Sequence, residues 1–132
     1  NYRGITSLCS CSKVLELIMC DYLMFNCRNY ITFEQHGFVA GRSVTTNLME
    51  FVTTCFNSMS EGLQVDAVYT DLKAAFDRID HDIALMKFAK LGFSSRICSW
   101  LESYLKGRRL QVKIGSSLSV EFSNWSGVPQ GS

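Results

Sequence analysis

The stretch VDAVYTDLKAAFD, residues 65–77, sets two carboxylates, Asp71 and Asp77, around a run of small residues and one aromatic, Phe76. Val65, Ala67 and Tyr69 alternate with more polar neighbours, the period-two pattern of a strand, and that strand is expected to end at Asp71. A carboxylate at a strand end suits a hard divalent cation such as Mg²⁺. Such an ion takes oxygen ligands and usually only one or two protein carboxylates, with water and substrate phosphates completing its shell. A strand end also fixes a side chain better than a mobile loop does. The plainer reading is that Asp71 caps the turn after it, and for an arbitrary aspartate that reading is the commoner one.

Charge and cysteine use narrow the field less. Net charge is +1, so bulk charge points to no partner, but its distribution is uneven. Six of the twelve acids (Glu61, Asp66, Asp71, Asp77, Asp80, Asp82) lie in one central stretch, while Lys106, Arg108, Arg109 and Lys113 cluster near the C-terminus. Such a basic cluster could hold phosphates, or charge a hairpin edge against aggregation; charge alone does not decide. There is no CxxC, and Cys9-x-Cys11 is a weak metal signal by itself. Cys20, Cys55 and Cys98 fall on apparent helix faces as small hydrophobes, and no leader-like stretch or compact cysteine framework is present. Reduced thiols inside a cell are therefore expected. His36 and His81 are too few and too isolated to argue for a histidine-based site, and no apolar run approaches a membrane span.

The elements that must position these residues follow from periodicity. With 47% hydrophobic and 12% aromatic residues, the 132-residue chain has material for a core and suits one domain or part of one. Ser12 is expected to cap a helix running to about Phe25. After the loop EQHGFVAGRS, Leu48, Phe51, Val52, Cys55, Phe56 and Met59 recur at helical spacing until Gly62. Beyond the strand to Asp71, one helix is expected from near Asp80 to Gly92. A second carries Ile97, Trp100, Leu101, Tyr104 and Leu105 and stops at Gly107. Residues 109–114 and 118–122 alternate around Gly115-Ser116-Ser117 as a β-hairpin, and SGVPQGS follows. The expected class is α+β, helices packed on a small, mostly antiparallel sheet.

These motifs, in this order, resemble a known family. VDAVYTDLKAAFDRIDH (65–81) is similar to the first catalytic motif of reverse transcriptases of non-LTR, jockey-like retrotransposons. NYRGITSLCSCSKVLELI (1–18), QHGFVAGRSVTTNL (35–48), WLESYLKGRRLQVKIG (100–115) and SGVPQGS (126–132) resemble the family's neighbouring blocks, with spacing intact over essentially the whole chain. The resemblance implies a fingers-side segment at about 1–62 and palm at about 63–132. It implies an RNA-directed DNA polymerase that works on an RNA template, a DNA primer and deoxynucleoside triphosphates, by two-metal transfer with Mg²⁺, or Mn²⁺ as an alternative.

Residue by residue, the resemblance makes Asp71 a catalytic metal ligand and gives Leu72 a backbone-carbonyl contact to the metal. Phe76 takes the steric-gate position beneath the nucleotide sugar, Gln130 contacts the incoming nucleotide, and Arg3 grips the triphosphate with its planar fork. Arg42 either touches template phosphate or braces its loop, and Lys106, Arg108 and Arg109 line the duplex. Asp77, Arg78 and Asp80 match the family but are expected only to cap the next helix and pair locally.

The sequence also departs from the family. Gly4 stands where proline is common, and Val39 where arginine is frequent. The second catalytic motif, an aromatic followed by two adjacent aspartates, lies downstream of GVPQGS in the family, and these residues contain no Asp-Asp pair. The chain is therefore expected to be a fingers and palm fragment, inactive alone, from an element whose enzyme works in the nucleus or cytoplasm. A non-catalytic nucleic-acid-binding module or a decayed remnant is the alternative. An RNA-dependent RNA polymerase shares the palm logic, and Phe76 at a gate position argues for deoxynucleotides instead.

Overall fold

The computed structural model describes residues 5–131. They fall into two compact units, one formed by the residues up to Leu17 together with those from Leu72 onward, the other by Ile18–Asp71. The first helix, α1 (Ser10–Cys27), contributes residues to both.

In the unit of residues 18–71, the end of α1 passes into a 3-10 turn, Arg28–Tyr30, then a loop, then helix α2 (Val44–Ser60). Ser43 caps α2 through a reciprocal box: its hydroxyl accepts from the Thr46 amide, and Thr46 Oγ1 accepts from the Ser43 amide. Gly62, at φ 74, ends the helix in the left-handed conformation, as its sequence position predicts. Neither α1 nor α2 buries a residue; Leu17, Ile18, Phe56 and Met59 are all at least 60% exposed.

Two expectations fail here. Ser12 is not a cap, because α1 begins two residues earlier, at Ser10, with the Cys9 carbonyl accepting from the Lys13 amide. Residues 63–71 form no strand. A strand needs a neighbour to receive its ladder bonds, and the described residues offer none to this segment, which is exposed throughout. Its alternation instead sets Tyr69 edge-on to Phe51 of α2, ring centroids 6.3 Å apart.

In the other unit, a 3-10 turn, Phe76–Arg78, leads to helix α3 (His81–Lys90), and Ser94 begins helix α4 (Ser95–Leu105). Asp80 caps α3 by accepting from the Ile83 amide at 3.0 Å, which is the role the sequence assigns it. α3 packs on α4, where Leu101 and Leu105 are the buried apolar side chains among the described residues, and Phe88 meets Phe93 edge-on at 5.5 Å.

Four short antiparallel strands follow: β1 (Arg108–Leu110) pairs with β4 (Phe122–Asn124), and β2 (Lys113–Ile114) pairs with β3 (Ser117–Leu118). The predicted hairpin is thus present and the class is α+β, with a turn of Gly115-Ser116 alone, since Ser117 is already paired. The ladder is broken in the middle. Leu110 faces Phe122 and Lys113 faces Leu118, so two residues on one side oppose three on the other. That mismatch is a bulge. Ser119 fills it, taking the Val112 amide on its hydroxyl and returning its own amide to the Val112 carbonyl, both at 2.9 Å.

Candidate functional site

The motif after Asp71 turns sharply. Ala74 adopts φ 54, a region L-residues seldom occupy and which costs about 1–3 kcal/mol unless the surroundings enforce it. Its carbonyl accepts from the amides of Asp77 (3.1 Å) and Arg78 (3.2 Å), closing the turn that presents Phe76. Phe76 is 44% exposed.

Against this turn lies the segment Ser126–Gly131. The Val128 amide donates to the Phe76 carbonyl (3.0 Å), the Gly127 amide to the Ile79 carbonyl (2.8 Å), and the Ser126 hydroxyl to the Asp77 carbonyl (2.9 Å). Gly127 has to be glycine twice over. Its φ is 78, and a Cβ there would sit 2.8 Å from Asp77 Cα, from the Asp77 carbonyl and from the Phe76 carbonyl. Gln130 Nε2 donates to Asp77 Oδ1 at 3.0 Å. The Gln130 backbone is held by Thr6, whose amide donates to its carbonyl at 2.8 Å and whose Oγ1 accepts from its amide at 3.3 Å. Phe76 and Gln130, 54 positions apart in the sequence, therefore belong to one hydrogen-bonded body.

The sequence reading missed three members of this body. Asp77 does not pair locally; its carboxylate serves Gln130. Thr6 carries no motif that would single it out. His81 is buried, 5% exposed, with Nε2 donating to the Gly127 carbonyl at 2.8 Å. The only sequence signal for His81 is its place directly after the cap of α3, and its partner lies 46 residues away.

The other candidates make none of these hydrogen bonds or lie outside the description. Arg3 lies outside the described residues. Asp71 is exposed and its carboxylate makes no hydrogen bond or ion pair among the described residues; Leu72 is 78% exposed. Arg42 is turned inward on its own loop: Nη1 donates to the Thr32 carbonyl at 3.0 Å and to the Gln35 carbonyl, and the guanidinium covers the Phe33 ring at 5.2 Å. In the same loop His36 links Thr46 (2.9 Å) and Glu50 (2.8 Å) of α2. Of the basic cluster, Lys106 lies between Asp82 (2.7 Å) and Glu102 (2.9 Å), and Arg109 reaches Glu121 at 3.3 Å. Arg108 forms no ion pair among the described residues.

Two electrostatic effects follow from these contacts. Lys106, hydrogen-bonded by Asp82 and then Glu102, is held above its ordinary pKa, while the same contact with Lys106 draws Asp82 below the usual carboxylate value. Tyr104 is raised, first by burial and then by donating its phenol to Glu16 Oε1. Its ring stacks on Trp100, centroids 5.3 Å apart.

For a divalent metal the fit is incomplete. Among the described residues no group of three His, Cys, Asp or Glu side chains could hold an ion, and Asp71 stands as a single carboxylate. These residues alone do not build the site. All six cysteines are free, and among the described residues no helix is long and apolar enough to cross a membrane.

Comparison with known proteins agrees with the motif order. A family described as reverse transcriptase (RNA-dependent DNA polymerase) matches residues 1–132. The "Probable RNA-directed DNA polymerase from transposon BS" of Drosophila melanogaster is 32% identical over all of this chain and 15% of its own length. The X-element counterpart from the same organism is 31% identical, with the same coverage. The "RNA-directed DNA polymerase from mobile element jockey" of Drosophila funebris is 28% identical over all of this chain and 14% of its own length. The chain thus spans about one-seventh of the length of these relatives. No solved structure matches.

Proposed function

The chain belongs to the reverse transcriptase (RNA-dependent DNA polymerase) family, and from that premise we propose that it forms the fingers-side segment (about 1–62) and first part of the palm (about 63–132) of a retrotransposon's RNA-directed DNA polymerase. The observation that supports this most is the docking of Ser126–Gly131 on the Phe76 turn, which joins the proposed sugar-sensing ring to the proposed nucleotide-contacting amide. The partners are an RNA template, a DNA primer and deoxynucleoside triphosphates. Phe76 lies beneath the sugar, Gln130 turns to the nucleotide, and Arg3 holds phosphate. Of the three residues expected to line the duplex, Arg108 is the one left for its phosphates, since Lys106 and Arg109 already face carboxylates. Arg42 braces its loop.

Asp71 and the Leu72 carbonyl are this chain's share of any metal ligation. One exposed carboxylate does not hold two ions, which supports the reading that the 132-residue chain needs further residues for activity.

The test is primer extension on an RNA template by a polypeptide that carries this chain at the length of its relatives. The wild type should extend with deoxynucleotides, Asp71→Asn should abolish extension, and Phe76→Ala should admit ribonucleotides. Undiminished synthesis by Asp71→Asn would remove the catalytic assignment.

A further inference from the structure

His81 is the one buried polar or charged side chain among the described residues. Burial of an imidazole is unfavourable unless its nitrogens find partners, and here Nε2 meets the Gly127 carbonyl at 2.8 Å. A carbonyl only accepts, so Nε2 carries the hydrogen, and the ring's orientation is fixed by that bond.

The bond acts at a particular point. Gly127 is held from both sides, its amide by the Ile79 carbonyl and its carbonyl by His81. Val128 and Pro129 separate it from Gln130, and proline allows its own φ little variation. Gly127 is therefore the point from which the chain sets out toward Gln130, whose own ends are held by Thr6 and Asp77. The amide contacts to Phe76 and Ile79 use backbone groups that any sequence would supply, and the Ser126 hydroxyl lies on the docked segment itself. His81 is the side chain of the receiving elements that grips this segment from a buried position.

We propose that His81 is a positioning residue for nucleotide selection: through the Gly127 carbonyl it holds Ser126–Gly131 on the Phe76 turn, so that Gln130 and Phe76 keep one spacing. It touches no reacting atom. This inference rests on the polymerase reading, and it adds that the nucleotide-contacting loop is tuned from beneath by a residue on α3.

The test uses the same relative-length polypeptide with His81→Leu, which removes the donor, and His81→Gln, whose terminal amide can still donate. Two readouts are taken. Hydrogen exchange of peptides covering 126–131 reports the docking, and primer extension separates KM for deoxynucleotide from kcat. His81→Leu should speed exchange in that segment and raise KM about tenfold, the size of one lost hydrogen bond, with kcat within about twofold; His81→Gln should restore both. Faster exchange with unchanged KM reduces His81 to a structural role and overturns the proposal, as does unchanged exchange. A uniform fall in kcat without a change in KM also overturns it. If the wild type extends no primer, the polymerase reading fails and the selection role with it, while exchange still decides whether His81 holds the loop.

Discussion

Gln130 and Asp77 are joined by a 3.0 Å hydrogen bond from the Gln130 side-chain amide to the Asp77 carboxylate, across 53 residues of chain. Among the described residues nothing else is hydrogen-bonded to the second Asp77 oxygen or to the Gln130 side-chain oxygen, Oε1. Gln130→Ala should cost about 0.5–1.5 kcal/mol of stability, the net worth of one such bond. Gln130→Glu should cost more, since it sets a second carboxylate against Asp77. Denaturant midpoints of the three proteins check the order; a glutamate variant as stable as wild type would show that the contact is not kept in solution.

Gly127→Ala is expected to be the most damaging single methyl in the Phe76 turn. It combines a left-handed backbone with a Cβ at 2.8 Å from three main-chain atoms, none of which can swing aside as a flexible side chain would. Strain and overpacking together predict roughly 2–4 kcal/mol. A thermal melt checks it, with Gly41→Ala as the control: that site has a similar φ, 77, but open space around the added methyl.

The Asp82–Lys106–Glu102 cluster should give this region an acid-sensitive contact. A carboxyl whose folded pKa lies below its unfolded value contributes stability above the unfolded value, 3.8 for aspartate, and loses it as pH falls through the folded one. Lys106 moves the other way. Its contribution is full below 10.5 and fades only as pH climbs through the raised value. Between them the pair is intact at neutral pH and fails on the acid side. Carboxyl carbon shifts followed by NMR should place the Asp82 midpoint below 3.8, and Lys106→Met should move it upward.

Tyr104 should resist ionisation. With its phenol partly buried and donating to Glu16, the neutral form is favoured, so its stabilising contribution persists below 10 and is lost only as pH rises through the elevated pKa. Absorbance at the phenolate band should show one of the five tyrosines titrating late. Glu16→Gln should bring that midpoint down only in part, because burial is the larger cause.

The isolated chain should self-associate. Leu17, Ile18, Phe56 and Met59 are at least 60% exposed on α1 and α2, and apolar surface left to water drives association. Sedimentation at rising concentration checks this; a monomer throughout would contradict it.

Local signals account for what the sequence made legible. The helix ends at Gly62, the Asp80 cap of α3, the turn at Gly115 and the apolar face of α4 all depend on neighbours within a few residues, and all are present. The alternation of Val65, Ala67 and Tyr69 was misleading because a period of two describes a strand's faces without supplying its partner. The site was legible as a set of motifs and not as contacts. Nothing near Asp77 indicates that it will serve Gln130, and nothing near His81 indicates a carbonyl 46 residues on. The hairpin bulge is another such case, since it depends on the offset between two pairings and not on any one residue.

The Thr6–Gln130 contact constrains the order in which this unit can be assembled. The two residues are 124 positions apart, so Thr6 can support the segment that presents Gln130 only after everything between them has been made. Helices α1 to α4 can form from local contacts well before that. Closing so wide a loop must await them, and loop-closure entropy makes such long-range pairings late steps in folding. Until Gln130 is made Thr6 lacks this partner, while the apolar faces of α1 and α2, exposed in the folded structure as well, are already present.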